Sequence, residues 1–198
     1  MNPQLLHDIT FYALYAGAAL ATVIIIERGI FFLFNIRDAH RLDQLAQVPG
    51  GLLTALAGQQ HTGVAAETLR SVIGAGTTNL ATHKEALLEA AYISANTRLR
   101  RHLWLLDTIV TAAPLLGLLG TILGIIDTFS ALAKAGISDP SGVSAGIGTA
   151  LFATALGIGV ALYGLLFFNY FQEQVERVGD VIKVLLLRGT SLPGNAGH

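Results

Sequence analysis

Four threonines are the main polar side chains within or beside two long uncharged stretches of this sequence: Thr111, Thr121, Thr149 and Thr154. A hydroxyl can position water, bond a proton carrier or coordinate a cation, but it does not ionise near neutral pH. Residues 108–126 and 140–172 contain no carboxylate, histidine, lysine or arginine. The pattern therefore favours either ion passage along hydroxyl-bearing helices or plain helix packing, in which each hydroxyl bonds a backbone carbonyl.

The uncharged stretches are long enough to cross a bilayer as helices. Within residues 108–172 the charged side chains are Asp127, Lys134 and Asp139, and they separate uncharged runs of 19 and 33 residues. A third run of 18 residues covers 9–26. Because about 20 apolar residues cross a hydrocarbon core as a helix, the sequence predicts three transmembrane helices. The first is interpreted as an anchor and not a removable signal, since no lysine or arginine precedes it.

Composition agrees with a membrane protein and excludes several other classes. The 198 residues are 53% apolar and 13% charged, and the mean hydropathy is +0.59. A formal net charge of −1 argues against nucleic acid as a partner, because phosphate binding requires a concentrated basic face. The chain has no cysteine, no phosphate-cradling loop and no histidine spacing typical of a metal site. It is predicted to be neither an enzyme nor a cofactor or metal protein.

Basic residues predict the orientation in the membrane. Eleven of the twelve lysines and arginines lie between the first and second spans or after the third, and Lys134 alone lies between the second and third. The positive-inside rule therefore places the central segment and the C-terminus in the cytoplasm, and the N-terminus and a loop near 130–141 outside. The expected organisation is an N-terminal transmembrane helix, a cytoplasmic helical segment, a pore-forming hairpin and a cytoplasmic C-terminal helix: 1–34, 35–104, 105–172 and 173–198.

Helical patterns continue beyond the second and third spans. Residues 82–106 contain no glycine or proline and are predicted to form one helix that enters the second span. Residues 173–186 show similar spacing, so the third span should also extend into the cytoplasm. Glycines punctuate the earlier part of the central segment, where short helices are predicted over 37–47 and 64–73. Such long helices need protein neighbours, which predicts an all-α integral membrane protein that forms a homo-oligomeric bundle.

Small residues recur along one side of both hairpin helices. In the third span they fall within about 80° of arc at 100° per residue, and they form a smooth face that another helix can approach closely. Plain packing without transport is the alternative reading. The positions are Gly117, Gly120 and Gly124 in the second span, and Gly146, Ala150, Ala153, Gly157, Ala161 and Gly164 in the third.

Two stretches resemble the pore helices of the MotA/TolQ/ExbB proton-channel family. They are AAPLLGLLGTILGIIDTF at 112–129 and GIGTALFATALGIGVALYGLLFFNYF at 146–171. The three-span layout is closer to ExbB and TolQ than to MotA. The resemblance implies a homopentamer in the bacterial inner membrane that surrounds the single-span helices of an ExbD- or TolR-like partner. Proton flow would then energise a TonB-like protein that acts on outer-membrane transport.

The same resemblance assigns roles to individual residues. Thr121 and Thr154 match the family's pore-facing threonines, and Pro114 matches its second-helix proline. Thr149 stands where ExbB and TolQ usually carry a glutamate, within GIGTAL in place of GIAEAL. Because threonine cannot relay a proton by ionising, the titrating carboxylate should come from the partner, with protons favoured over sodium. The alternatives are a TolQ-like, gliding or secretion motor subunit, and a passive membrane scaffold.

Overall fold

The computed structural model describes residues 3–46, 63–75, 81–135 and 140–191, and almost all of these are α-helical. The predicted all-α fold is therefore confirmed. The centre of the predicted outer loop, 136–139, lies outside the described residues, as do the glycine-rich positions in 47–62 and 76–80. The helices are α1 (Pro3–Ala46), α2 (Val64–Ala75), α3 (Ala81–Arg100), α4 (Leu103–Ala135) and α5 (Pro140–Ser191).

Three helices are long and apolar enough to cross a membrane, which confirms the prediction of three spans. The candidate spans are Asp8–Leu45, Leu103–Ala133 and Ser141–Leu187. With 44 and 52 residues, α1 and α5 are much longer than the roughly 20 residues that a bilayer core requires. The first span and the short helix predicted over 37–47 belong to a single helix, because no proline interrupts the chain between them.

The prediction of one unbroken helix entering the second span is wrong at two positions, Arg101 and His102. His102 has a φ of 64°, a left-handed conformation that residues with a side chain rarely adopt. The amide of Arg101 donates to the carbonyl of Arg98 at 3.4 Å, which closes α3 with a tight turn. The carbonyl of His102 then accepts from Leu105 and Leu106 and opens α4. No glycine or proline marks this break in the sequence.

The first of two compact units contains most of the uncharged parts of the three membrane helices. It comprises Met1–Ile26 and His102–Asn169. Its buried side chains are mostly small or aliphatic, so its helix axes can lie close together. Gly17 of α1 faces Ile109 of α4, and Thr10 is buried beside Gly120. The buried apolar residues include Leu14, Ala21, Leu106, Ala113, Ala150 and Ala153.

The second unit has a core of larger side chains. It comprises Glu27–Arg101 and Tyr170–His198. Phe32 of α1 and Phe171 of α5 stack with ring centroids 5.7 Å apart, and each is 1% exposed. Leu42, Leu99 and Ile182 are fully buried in the same unit. These large apolar side chains form the core that joins the helices of this unit.

Two polar side chains of α1 hold the start of α2. The amide of Val64 donates to Asn35 Oδ1 at 2.9 Å, and the amide of Gly63 donates to Asp38 Oδ2 at 2.9 Å. The first amides of a helix lack partners within the helix. Asn35 and Asp38 therefore cap the N-terminus of α2 although they lie in a distant part of the sequence. Asn35 is 8% exposed, and its own Nδ2 donates to the carbonyl of Phe31.

We expect Asn35→Ala to destabilise α2 locally by about 1 kcal/mol, the usual cost of losing a cap. Amide hydrogen exchange across Val64–Ala75 should become roughly fivefold faster, since about 1.4 kcal/mol corresponds to tenfold. Asn96→Ala is the matched control, because Asn96 bonds the exposed Arg100 and no helix start. Equal exchange rates for α2 in both variants would contradict the capping role of Asn35.

Candidate functional site

Helices α4 and α5 approach so closely that their backbones are in contact at two glycines. A Cβ atom added to Gly117 would lie 2.9 Å from the carbonyl oxygen of Ala153 and 3.0 Å from Thr154 Cα. A Cβ atom added to Gly157 would lie 2.5 Å from the carbonyl oxygen of Ala113 and 3.0 Å from Gly117 Cα. Backbone atoms cannot rotate out of the way as side chains can. This crossing therefore requires the absence of a side chain at both glycines.

The close approach continues along the predicted small-residue face of α5. Gly146 lies against Thr128, and a Cβ atom added to Gly164 would lie 2.8 Å from Val110 Cγ2. Ala150 and Ala153 are completely buried, and Ala161 is 8% exposed. On α4, Gly120 lies against Ala153, and Gly124 is buried. These distances place five of the small residues that the sequence singled out at the contact between α4 and α5: Gly117, Gly120, Gly146, Gly157 and Gly164.

Thr154 makes a hydrogen bond between the two helices at this crossing. Its Oγ1 donates to the carbonyl oxygen of Gly117 at 3.0 Å, and the side chain is partly buried. A side chain at position 117 would cover that carbonyl, so the missing Cβ atom both brings the helices together and opens the acceptor. Pro114 lies one turn earlier in α4, inside the helix, and has no amide hydrogen to donate to the carbonyl four residues before it.

The other threonines of the hairpin bond within their own helices. Thr121 Oγ1 donates to the carbonyl of Leu118 at 2.6 Å, and Thr149 Oγ1 donates to the carbonyl of Ala145 at 2.9 Å. Thr111 bonds carbonyls of the preceding turn in the same way. In each case the single hydroxyl proton is already used, so the oxygen can only accept a further hydrogen bond. Thr121, Thr149 and Thr154 share this acceptor character.

The three threonines assigned to the ion pathway differ in exposure within one chain. Thr121 is 9% exposed and Thr154 is half-buried, whereas Thr149 is exposed. Thr149 lines a shallow cavity of about 350 Å³ together with Asp8 and Tyr12 of α1. Thr121 and Thr154 therefore belong to the packed side of the hairpin, and Thr149 belongs to a different, open face.

Sequence reasoning missed one threonine of the helix contact. Thr128 is 8% exposed, donates to the carbonyl of Gly124 at 2.8 Å, and receives Gly146 of α5 against its side chain. Its position gave a signal, because it follows Gly117, Gly120 and Gly124 on the same face of α4. Among the residues that the structure describes, no three histidine, aspartate or glutamate side chains form a group suited to a metal ion.

Most of the apolar surface of the spans is not covered by the chain itself. In the most apolar stretch of each span, 28% of the residues are buried. Large side chains point outward along both hairpin helices, where lipid or other protein chains must cover them. Examples are Leu115, Leu118, Ile122 and Phe129 on α4, and Leu151, Phe152, Leu162 and Leu166 on α5.

Comparison with known proteins connects this hairpin to a family. The chain is 34% identical over 161 residues to the biopolymer transport protein ExbB-like 3 of Synechocystis, covering 78% of this chain and 76% of that protein. It is 29% identical over 168 residues to the biopolymer transport protein ExbB of Salmonella typhimurium, covering 82% and 69%. For ExbB of Aquifex aeolicus the identity is 38% over 78 residues, covering 39% and 53%.

The sequence profile of one family matches most of the chain. The match covers residues 59–183, which include the whole of the α4–α5 crossing and the threonines that it contains. The prediction made from the two hairpin motifs is thus confirmed at the level of the family, with relatives that carry the name ExbB. This helical, three-span chain belongs to the MotA/TolQ/ExbB proton channel family, as an ExbB-like channel subunit.

Proposed function

We propose that this chain is the channel-forming subunit of a motor in the bacterial inner membrane that is driven by the proton-motive force and energises TonB-dependent transport across the outer membrane. An ExbD-like protein with one membrane span supplies the carboxylate that carries the proton. A TonB-like protein receives the mechanical work. Support comes from the family membership and from the ExbB-named relatives.

One observation supports a pathway that is shared with a partner: the uncharged runs within the spans offer hydrogen-bond acceptors but no group that ionises as a carboxylate or an imidazole. The uncharged runs 9–26, 108–126 and 140–172 contain no acidic or basic side chain. Thr121 and Thr154 donate their protons to backbone carbonyls. An oxygen with only lone pairs left stabilises a protonated carboxylic acid, which donates, over a carboxylate, which can only accept.

This gives the threonines a specific role in the proposed cycle. A partner aspartate that reaches the level of Thr154 takes up a proton more readily there than beside water, because its neutral form gains a hydrogen bond and its charged form gains none. The aspartate releases the proton again where water replaces the threonine. Thr121, which is 9% exposed, supports this site from the packed side of the hairpin, and Thr149 serves as an accessory acceptor on the other face of α5.

Several copies of the chain form the channel in this proposal. The large uncovered apolar faces of α4 and α5 pack against neighbouring copies and lipid, and five copies surround the helices of the partner. The basic residues place the segment between α1 and α4 and the end of α5 in the cytoplasm, with the N-terminus in the periplasm. The loop between α4 and α5 then faces the periplasm as well.

A reconstitution experiment tests the proposal. Liposomes that contain the chain and a single-span ExbD-like partner should carry an inward proton current under an imposed pH gradient, and the chain alone should not. Replacing the membrane aspartate of the partner by asparagine should abolish the current. Because Thr149 replaces the family's glutamate, the same liposomes are tested with a sodium gradient and no pH gradient.

Each outcome of that experiment separates the alternatives. A current that needs both proteins and the aspartate supports the motor subunit. A sodium current without a proton current would mean that sodium, and not the proton, is the coupling ion. No ion flux with an intact complex would favour a passive scaffold. Iron-siderophore uptake in cells that lack their own ExbB then separates a TonB-linked role from a TolQ-like, gliding or secretion role.

Because the sequence contains no cysteine, single introduced cysteines can report the topology in the membrane. Single cysteines introduced at exposed positions, one at Glu85 of α3 and one at Ser144 of α5, provide reporters in an otherwise thiol-free chain. We expect a membrane-impermeant maleimide to label Ser144→Cys in intact spheroplasts and Glu85→Cys only after lysis. Labelling of Glu85→Cys in intact spheroplasts would reverse the orientation.

A further inference from the structure

A cavity lined by arginines lies in the second unit. Its volume is about 500 Å³, and side chains of α1, α2 and α3 form its walls. Three arginines and two glutamates contribute to it: Arg28, Arg98, Arg101, Glu27 and Glu67. The lining therefore carries one more positive than negative charge, and the cavity is large enough for a phosphate-sized group with further atoms attached.

The arginines of this cavity are held in different ways. Arg28 is 2% exposed, and its guanidinium carbon lies 4.9 Å from the centre of the Phe31 ring, which is a cation–π distance. Arg98 is paired with Glu67 at 2.5 Å, and Arg28 lies 3.8 Å from Glu27. Arg101, at the end of α3, is exposed. The positive charges of Arg28 and Arg101 repel each other across this cavity, and a bound anion would reduce that repulsion.

The chemistry of arginine narrows the class of anion. A guanidinium group presents a planar fork of donors that matches the oxygens of a phosphate, often through two parallel hydrogen bonds. A carboxylate has only two oxygens with which to bond these donors. A phosphate offers more acceptor oxygens and can therefore bond two arginines from different helices at once.

The position of these arginines along their helices indicates where that phosphate comes from. Arg28 follows the uncharged run 9–26 by two residues within one continuous helix, about 3 Å along its axis. Arg101 precedes the uncharged run 108–126 by seven residues. Both arginines thus flank membrane-crossing stretches at the depth where phospholipid headgroups lie.

We propose that this cavity binds the phosphate group of an anionic membrane phospholipid, with Arg28 and Arg101 as its principal donors. The lipid would bridge α1 and α3 and would stabilise the second unit against the repulsion between its arginines. The site is independent of ion conduction, and it does not depend on the proposed motor function. It contains none of the threonines of the hairpin.

Lipid binding to the purified full-length chain in detergent tests the proposal. Three probes separate the parts of the ligand: dioleoyl phosphatidylglycerol, dioleoylglycerol, which has the same tails without the phosphate, and inorganic phosphate. We expect native mass spectrometry to detect one tightly retained phosphatidylglycerol per chain and an increase in the thermal midpoint. Dioleoylglycerol should produce neither effect, and millimolar phosphate should produce only a weak increase.

Two neighbouring arginines provide matched variants. Arg101→Gln should weaken phosphatidylglycerol binding by about tenfold, the loss expected for a charge-assisted bond to phosphate. Arg100→Gln removes the same charge one position away, but Arg100 bonds Asn96 and does not line the cavity, so binding should change less than about twofold. Helix content measured by circular dichroism confirms that both variants fold.

Three results would overturn the inference. Equal binding in Arg101→Gln and Arg100→Gln would mean that lipid is attracted by overall charge and not by the cavity. Retention of dioleoylglycerol as strong as that of phosphatidylglycerol would mean that the tails alone bind. An increase in the midpoint with inorganic phosphate as large as with lipid would assign the cavity to a soluble phosphate compound.

Discussion

Thr154→Val should leave the protein in the membrane and assembled, but should lower proton-coupled energy transfer by about tenfold or more. Valine keeps the volume of threonine and loses the oxygen that accepts from a protonated carboxyl group. A polar group left without its hydrogen-bond partner costs about 1–3 kcal/mol. The lost bond to the Gly117 carbonyl costs less, about 0.6 kcal/mol for membrane helices, so the complex should still form. Partner-dependent proton current and iron-siderophore uptake are the measurements.

Two further variants determine whether the oxygen itself matters. Thr154→Ser keeps the hydroxyl and should retain most of the activity. Thr108→Val removes an exposed hydroxyl that bonds only the carbonyl of Trp104 in its own helix, and it should have no effect. Thr121→Val should resemble Thr154→Val. Normal uptake in both Thr121→Val and Thr154→Val would remove the ion-pathway assignment and leave these residues a role in packing.

Gly157→Leu should break the contact between α4 and α5 and prevent assembly of the oligomer. Even the single carbon of Gly157→Ala would meet the carbonyl oxygen of Ala113 at 2.5 Å, so the two helices would have to separate. Overpacking of this kind costs about 1–3 kcal/mol for one methyl group, and leucine adds three more carbons. Native gel mobility and the thermal midpoint in detergent measure the effect, and Gly157→Ala should lie between wild type and Gly157→Leu.

A glycine two positions away provides the control. Gly159 has open space around the position of its missing Cβ atom, with nothing within 4 Å in the chain. Because alanine favours a helix over glycine by about 1 kcal/mol, Gly159→Ala should leave the stability of the single chain unchanged or raise it. An intact oligomer for Gly157→Leu would contradict the close helix contact. A loss of assembly in Gly159→Ala with a stable monomer would instead identify a contact between copies.

The two predictions are distinguishable because they concern different properties of one crossing. The glycines determine how near the helices lie, and Thr154 uses that proximity to reach the carbonyl of Gly117. A Gly157 variant should therefore lose assembly and activity together, whereas Thr154→Val should lose activity with the assembly retained. If Thr154→Val also disperses the oligomer, the hydroxyl serves packing more than ion transfer.

The class of protein follows from the order of its amino acids. Three uncharged runs identified the membrane helices, because a charge in the hydrocarbon core is costly and its absence over about 20 residues is rare by chance. The hairpin motifs around Thr121 and Thr154 identified the family. Periodicity also identified the packing face of α5, since 100° per residue brings Gly146, Ala153 and Gly157 onto one side before any partner is known.

Which of these residues meet, and where the helices end, depends on how the chain packs in three dimensions. The break at His102 depends on a left-handed backbone conformation, and no glycine at this position indicates it in the sequence. The Thr154 hydroxyl bonds a neighbouring helix at Gly117, whereas the Thr121 and Thr149 hydroxyls bond their own helices. Arg28 and Arg101 are 73 positions apart in the sequence, and they line one cavity because the segments that carry them pack together. Local sequence encodes helix faces, whereas contacts between distant residues depend on how those faces pack.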